Sequence, residues 1–229
     1  MKVIAAAPKL VEQVHDAIVS EISAGKLRPG ERIIQEQIAQ LLGVSRQPVQ
    51  QALLLLRKQG VLRDAPGRGL IVASLDSDQV SSMYDIRAVL EGLAFRKAAE
   101  HNAERARIQG PALIQNGRKA AAGSSVAAMI AADLKFHDFI YRLSENPLIS
   151  PLMEAQWTST QRVMGEVLMR DELPRDIWNQ HEALLDAVMA GDGAAAEKLA
   201  RQHITLAATV MISRLRSEAA ATAEDAAAA

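Results

Sequence analysis

From residue 76 onward, apolar side chains recur at helical spacing, and only short breaks interrupt the pattern. The breaks lie at Gly110-Pro111, Gly123, Asn146-Pro147, Pro174 and Gly191-Asp192-Gly193. Aromatic residues make up 3% of the chain, a composition that favours packed helices over a β-sandwich. The pattern therefore predicts an all-α bundle. We place its six helices at 76–101, 103–121, 124–144, 147–169, 172–190 and 192–216.

The first 75 residues have a different plan. Apolar spacing predicts three helices, and the helix-turn-helix formed by the second and third spans about residues 35–54, with a tight turn at Gly43. The third helix carries four consecutive leucines, Leu53–Leu56, which predict contacts on more than one of its sides. The segments Val61-Leu62-Arg63 and Leu70-Ile71-Val72 flank a Gly-rich tip and predict a β-hairpin. Three helices followed by a hairpin are the plan of a winged helix-turn-helix fold.

The fold class is thus mainly α, in three consecutive segments. The predicted segments are a winged helix-turn-helix domain at 1–75, an all-helical six-helix bundle at 76–216 and an Ala-rich disordered tail at 217–229.

Charge is divided unevenly between the two predicted domains. Residues 1–75 carry ten Lys and Arg against six Asp and Glu, whereas the remainder carries 16 against 21, so that a net charge of +4 is followed by −5. A basic first third indicates a polyanionic partner for that domain.

Several classes of protein are excluded or disfavoured. The chain has no cysteine, which removes disulfides and thiolate metal sites and is consistent with a reducing cytoplasm. No run of 18 apolar residues occurs, and Met1–Pro8 is too short for a signal sequence. We expect a cytoplasmic protein with no membrane association.

The start of the third helix has the side chains that read a DNA major groove. Ser45 is suited to cap the helix and contact phosphate, Arg46 to reach phosphate or a guanine edge, and Gln47 and Gln50 to pair with adenine or the DNA backbone. Arg68 at the hairpin tip is suited to phosphate or minor-groove contact. The alternative from periodicity alone is a small helical hairpin with a solvated polar face.

This segment also resembles a known family. The sequences EISAGKLRPGERI, IAQLLGVSRQPVQQALLLLRKQGVL and APGRGLIV closely resemble the DNA-binding domain of GntR-type bacterial transcription regulators over residues 10–73. The resemblance implies recognition-helix positions for Ser45, Arg46, Gln47 and Gln50, and a wing tip at Gly67-Arg68-Gly69. The chain departs from the family pattern at one place, where it has Gln50-Gln51 and the family usually has Arg-Glu. This difference puts the preferred operator sequence in doubt more than DNA binding itself.

Four residues of the second domain suggest a metal site. Asp133 and His137 are four apart, so both side chains fall on one helix face, and His181 and His203 lie on two further predicted helices. One carboxylate and three imidazoles would bind a divalent cation such as Zn, Ni or Mn. Spacing alone leaves open that each histidine is an ordinary core or interface residue.

The second domain resembles the all-helical ligand-binding domain of the FadR subfamily, called FCD. The similar segments are YDIRAVLEGLAFRKAA, DLKFHDFIYRLSENPLI and HEALLDAVMAGDGAAAEKLARQHI, within about residues 77–215. In metal-binding members the matching positions are Asp133, His137, His181 and His203. The fatty-acyl-responsive branch of the subfamily lacks these four residues, so their presence in this chain argues against an acyl-CoA effector.

Arg87 is the candidate anchor for an effector carboxylate, because a guanidinium in an otherwise apolar helix can bind a carboxylate through two hydrogen bonds. The alternative is a pair with Glu91 on the helix surface. Together these features predict a repressor that binds double-stranded operator DNA as a homodimer. Its operator affinity would be controlled by a small organic acid bound beside a divalent metal. A metal-dependent enzyme acting on a small carboxylate is the competing class, but no nucleophile or zinc-protease motif supports it.

Overall fold

The computed structural model describes residues 8–169 and 177–228, in which it has eight helices and a three-stranded antiparallel sheet. The chain divides into two compact units, Met1–Ser74 with Thr158–Glu166, and Leu75–Trp157 with Val167–Ala229. A winged helix-turn-helix followed by an all-helical region confirms the predicted fold class. No helix in the described ranges is both long and apolar enough to cross a membrane.

The first unit contains three helices and all three strands. Their bounds are α1 Pro8–Ser23, β1 Arg32–Ile33, α2 Gln35–Leu42, α3 Arg46–Lys58, β2 Leu62–Asp64 and β3 Leu70–Val72. The sheet has the order β1-β3-β2, and both pairings are antiparallel. Helix α3 packs against α1, α2 and β2. Strand β1 was not predicted, because two residues are too few to show an alternating pattern.

Helix α3 packs into the core of the first unit mainly through one face. Val49, Ala52 and Leu56 are completely buried at helical spacing. Leu54 and Leu55 are 55% and 44% exposed, so the expectation that the leucine run is covered on more than one side is wrong within this chain. A helix that packs through a single face leaves the residues about 100° away in solvent.

The second unit is built from five helices, α4 Ser77–Ala121, α5 Val126–Leu143, α6 Ile149–Leu168, α7 Ile177–Ala190 and α8 Gly193–Ala228. Helix α4 packs against α5, α7 and α8, around a core that includes Phe95, Phe136 and Leu184. The middle of α6, Thr158–Glu166, belongs instead to the first unit.

Helix α4 is kinked at one position and continuous at another, and two predictions about its course are judged by these features. Asn102 has non-helical angles (φ −135°, ψ 31°), and its Nδ2 donates to the carbonyl of Leu143 at 2.8 Å. It divides α4 where helices 76–101 and 103–121 were predicted to meet. The predicted break at Gly110-Pro111 is wrong, because the helix continues through Pro111 and buries Gly110 against Leu185 of α7.

The C-terminal prediction also needs correction. Helix α8 continues to Ala228 instead of ending at 216 before a disordered tail. The added residues are mostly alanine, which has the highest intrinsic helix propensity, so they extend the helix that precedes them. The predicted break at Pro174 lies outside the described residues.

Candidate DNA-reading helix and metal centre

The turn between α2 and α3 sets the position of the recognition helix. Gly43 ends α2 with a φ of 63°, in the left-handed region that favours glycine, and its N–H donates to the carbonyls of Ala39 and Gln40. Ser45 occupies the N-cap position of α3 with extended backbone angles, as expected, but its side chain makes no capping hydrogen bond. Its hydroxyl is therefore not committed to the helix terminus.

The four side chains predicted to contact DNA are all exposed at the start of α3: Ser45, Arg46, Gln47 and Gln50. Pro48 and Val49, which lie among them in sequence, are buried. The first two turns of the helix thus present polar groups to solvent on one side while apolar groups hold the other side in the core. This is the arrangement that a helix needs to enter a major groove.

Arg46 has a partner within the protein. Its guanidinium forms an ion pair with Glu36 of α2, in which the two side chains are 71% and 45% exposed. Gln35 Nε2 also donates to the backbone carbonyl of Arg46 at 2.9 Å, which ties the two helices together. An exposed pair of this kind contributes at most about 1 kcal/mol, so it does not prevent Arg46 from changing partner.

The hairpin between β2 and β3 presents a basic side chain at its tip. The N–H of Ala65 donates to the carbonyl of Gly69 at 3.0 Å and closes the loop. Gly67 and Gly69 have φ of 96° and 95°, so both positions require glycine. Arg68, between them, is exposed to solvent.

Three imidazoles from three helices meet in the core of the second unit. One ring nitrogen from each of His137 (α5), His181 (α7) and His203 (α8) lies within 4.8 Å of the others, and all three residues are buried. Asp133, one turn before His137, places Oδ1 3.3 Å from His181 Nε2 and Oδ2 4.0 Å from His137 Nε2. The structure therefore brings together the four residues that the sequence singled out.

The donor set fits a divalent cation. His181 is completely buried, and neither of its ring nitrogens makes a hydrogen bond within the part of the chain that the structure describes. Leaving such a group unsatisfied costs about 1–3 kcal/mol, a cost that a bound cation would remove. Burial, followed by His203 and His137, holds the pKa of His181 well below its usual value, so the ring is in the neutral form that binds metal. Zn–N bonds are about 2.0–2.1 Å long, so nitrogens that lie up to 4.8 Å apart would have to move inward around a bound cation.

A second layer of residues orients two of the imidazoles. His203 Nδ1 lies 2.9 Å from Gln180 Oε1, and His137 Nδ1 lies 2.6 Å from Glu91 Oε2. An acceptor at Nδ1 leaves Nε2 to face the centre of the cluster, which is how metal-binding histidines are commonly held. Burial, followed by His137, lowers the pKa of His203 to about 3, so this ring is neutral as well.

Glu91 and Gln180 were not predicted as members of this layer. Gln180 directly precedes His181, but its adjacency gives no sign that it contacts a residue on α8. Glu91 was considered only as a surface partner of Arg87. Two features of the sequence point to a role for it: a carboxylate within an apolar stretch of α4, and its position four residues after Arg87.

Arg87 forms the predicted pair with Glu91, but inside the protein. Its Nε donates to Glu91 Oε1 at 2.8 Å, and the two side chains are 6% and 0% exposed, so a pair on the helix surface is ruled out. The guanidinium carbon lies 4.8 Å from the centre of the Tyr84 ring. Burial alone would raise the pKa of Glu91, but Arg87 and His137 lower it to about 2 and keep the carboxylate charged.

The fold and the site define a class of protein: a winged helix-turn-helix joined to a helical bundle whose core holds an imidazole and carboxylate cluster. Residues 10–72 match the sequence profile described as bacterial regulatory proteins, gntR family, and residues 82–206 match that of the FCD domain. The chain belongs to the GntR family of bacterial regulatory proteins and carries an FCD domain.

Individual relatives agree with this assignment. The chain is 32% identical to the uncharacterized HTH-type transcriptional regulator YdhC of Bacillus subtilis, over 62% of this chain and 64% of that protein, just under two thirds of its length. It is 29% identical to a probable D-xylose utilization operon transcriptional repressor of Paenarthrobacter nicotinovorans, over 85% of both chains. The structure of E. coli McbR/YncC has the same fold, with a TM-score of 0.79 at 22% identity over 92% of this chain and 99% of that one.

Proposed function

We propose that this GntR-family chain is a repressor that binds operator DNA as a homodimer, and that a small organic acid bound beside a divalent metal relieves repression. The observation that carries the proposal is the buried cluster of Asp133, His137, His181 and His203. Within the described residues the ring nitrogens of His181 make no hydrogen bond, although Nε2 lies 3.3 Å from Asp133 Oδ1. A buried polar cluster with unsatisfied donors and acceptors is uncommon unless it serves a ligand.

DNA binding is assigned to α3 and the wing. Ser45, Arg46, Gln47 and Gln50 would contact the major groove, with Gly67 and Arg68 at the adjacent backbone or minor groove. Support comes from their common exposure and from the excess of Lys and Arg in the first third of the chain. Two copies on a pseudo-palindromic operator would supply the affinity that one short half-site lacks.

Effector binding is assigned to the cluster and to Arg87. Asp133 and the three histidines would hold the cation, whose role is to offer coordination positions to a carboxylate. The guanidinium of Arg87 would donate to a second oxygen of the acid, while its Nε stays hydrogen-bonded to Glu91. Zn, Ni and Mn are all consistent with one carboxylate and three imidazole ligands.

The proposal is tested by thermal melting of metal-stripped protein alone, with Zn²⁺, Ni²⁺ or Mn²⁺, and then with a panel of small mono- and dicarboxylic acids. A cation at about a hundred times its Kd adds about 2.7 kcal/mol, which for a chain of this size raises Tm by about 5–10 °C. A carboxylate that binds the metal should enlarge the shift. The absence of a shift with every cation would contradict the assignment of the cluster.

The matched variants are His181→Ala and His101→Ala. His181 lies in the cluster, whereas His101 is exposed on α4 and serves as the control. We expect His181→Ala to lose the metal-dependent shift while its metal-free form still binds an operator selected from a randomised duplex pool. Full metal content in His181→Ala, measured by elemental analysis, would place His181 outside the set of ligands.

A further inference from the structure

Glu91 joins two parts of the second unit that the proposed function treats separately. Its side chain is completely buried on α4, and its two oxygens contact different residues. Oε1 accepts a hydrogen bond from Arg87 Nε at 2.8 Å, and Oε2 lies 2.6 Å from His137 Nδ1. The carboxylate therefore bridges the candidate effector anchor and a candidate metal ligand.

The contact with His137 determines which nitrogen faces the cluster. With Nδ1 held by Glu91, Nε2 is the nitrogen that lies toward Asp133, at 4.0 Å from Oδ2. A charged acceptor on the far side of an imidazole fixes its tautomer and its ring orientation, and it makes the other nitrogen a better ligand. Nδ1 of His181 makes no hydrogen bond or ion pair within the described residues. The preset geometry of the cluster therefore depends on the ion pair of His137 with Glu91 and on the contact of His203 with Gln180.

The contact with Arg87 fixes a second group in the same way. A guanidinium is planar and presents its five N–H donors in a rigid fork. Because Glu91 accepts from Nε, it sets the plane in which the terminal nitrogens lie. Any rotation of the carboxylate changes the orientation of both the guanidinium and the imidazole.

We propose that Glu91 is a positioning residue that couples the metal site to the effector anchor, so that binding of the cation and of the acid strengthen each other through one carboxylate. The proposal rests on the proposed function and extends it to a residue that touches neither ligand. Energetic coupling between two sites is reciprocal, so metal must raise acid affinity by the same factor by which acid raises metal affinity.

The test compares the wild type with Glu91→Gln, which keeps the shape and removes the charge. Metal affinity is measured by competition with a chelator, and acid affinity by calorimetry with and without saturating Zn²⁺. We expect Glu91→Gln to bind Zn²⁺ about 10–100-fold more weakly, the range seen when a residue that orients a metal ligand is lost. The factor by which Zn²⁺ improves acid affinity should fall toward one.

The control is Glu100→Gln. Glu100 lies on the same helix and pairs with Arg96 at the same i,i+4 spacing and the same 2.8 Å distance, but its side chain is 40% exposed and lies outside the cluster. We expect its Zn²⁺ affinity and its coupling factor to stay within about twofold of the wild type, since an exposed pair contributes little.

A third variant separates positioning from loss of folding. Removing one member of a buried ion pair is often strongly destabilising, whereas replacing both by uncharged groups is tolerated better. The double variant Arg87→Met with Glu91→Gln should therefore fold, bind no acid, and still show the weakened Zn²⁺ binding. Nitrogen NMR of the His137 ring in the metal-free protein adds a structural readout, because a mixture of tautomers is expected once the carboxylate is gone.

The outcomes separate this proposal from the one that it rests on. Suppose that the wild type binds Zn²⁺ and that Zn²⁺ improves its acid binding. If Glu91→Gln then matches the wild type in both respects, and the double variant matches it in Zn²⁺ affinity, the role of Glu91 is overturned and the proposed function stays intact. A wild type that binds no cation would overturn both. Weaker Zn²⁺ binding with a lost coupling factor, in a folded variant, would support both.

Discussion

Charged side chains occupy two contrasting environments in this protein. Arg46 pairs with Glu36 at the surface, where both remain largely in water. Arg87 pairs with Glu91 in the core, where returning either charge to water would require opening the helix packing. An exposed pair is worth at most about 1 kcal/mol, whereas breaking a buried one costs about 3–5 kcal/mol. Arg46 can therefore exchange its partner for a phosphate, whereas Arg87 would have to keep Glu91 if it binds the proposed effector.

At this scale we predict that Arg46→Ala weakens operator binding by about 1–3 kcal/mol. If the contact is to a phosphate, the slope of the affinity against salt concentration also falls by about one. Both quantities are measured by fluorescence anisotropy at several salt concentrations. Arg107→Ala, which removes an exposed arginine paired with Glu104 in the second unit, is the control. Equal affinities for the two variants would refute the assigned contact.

Helix contacts within the second unit depend on small residues of α4. Gly110 and Gly117, two turns apart on α4, face α7, where a Cβ at Gly110 would lie 2.5 Å from Leu185 and one at Gly117 would lie 2.1 Å from the Trp178 ring. Real Cβ atoms do not approach so closely, so α7 packs at its present distance only because these side chains are absent. His181 follows Trp178 by three residues on the same helix, so the packing also sets the position of a candidate ligand.

We accordingly predict that Gly117→Ala destabilises the metal-stripped protein by about 1–3 kcal/mol, the usual cost of overpacking, and reduces the thermal shift produced by Zn²⁺. Guanidinium denaturation gives the free energy of unfolding, and melting gives the shift. The matched control is Gly123→Ala, because a Cβ there would make an ordinary 3.4 Å contact with the carbonyl of Ala120. A Gly117→Ala protein as stable as this control would contradict the packing argument.

For the whole molecule, the separation of charge and the two units match the two tasks of the proposed function. The basic first third carries the exposed side chains of α3 and the wing, and the acidic remainder contains the buried cluster. A long-range field of the right sign accelerates encounter with DNA, whereas the ligand recognition proposed for the second unit would depend on short-range contacts.

If a homodimer binds two half-sites, their spacing on the duplex must matter. B-DNA completes a turn in about 10–10.5 base pairs, so five inserted base pairs place the half-sites on opposite faces. We expect this insertion to lower operator affinity tenfold or more, and a ten-base-pair insertion to restore part of it. The measurement is an electrophoretic mobility shift, with a five-base-pair insertion outside the operator as the control. Unchanged affinity in every case would indicate binding to one half-site.

Much of the architecture follows from the sequence alone. Periodic apolar residues predicted the helices, because a helix repeats every 3.6 residues whatever it packs against. Gly43 predicted the sharp turn before α3, since its φ of 63° is open to glycine and costly for most other residues. The residues Asp133, His137, His181 and His203 also came from spacing and family resemblance, and the structure brings them together.

Tertiary structure decided what lies opposite each face. The sequence could not show that Glu91 meets His137, that Gln180 meets His203, or that Arg87 and Glu91 are buried, because each contact or its cover comes from a distant part of the chain. The sequence predicted a boundary between two helices at residue 102, but it could not show that the side chain of Asn102 binds a carbonyl 41 residues later. Local sequence sets which side of a helix is apolar, but only the packed fold sets which groups meet there and which charges lose contact with water.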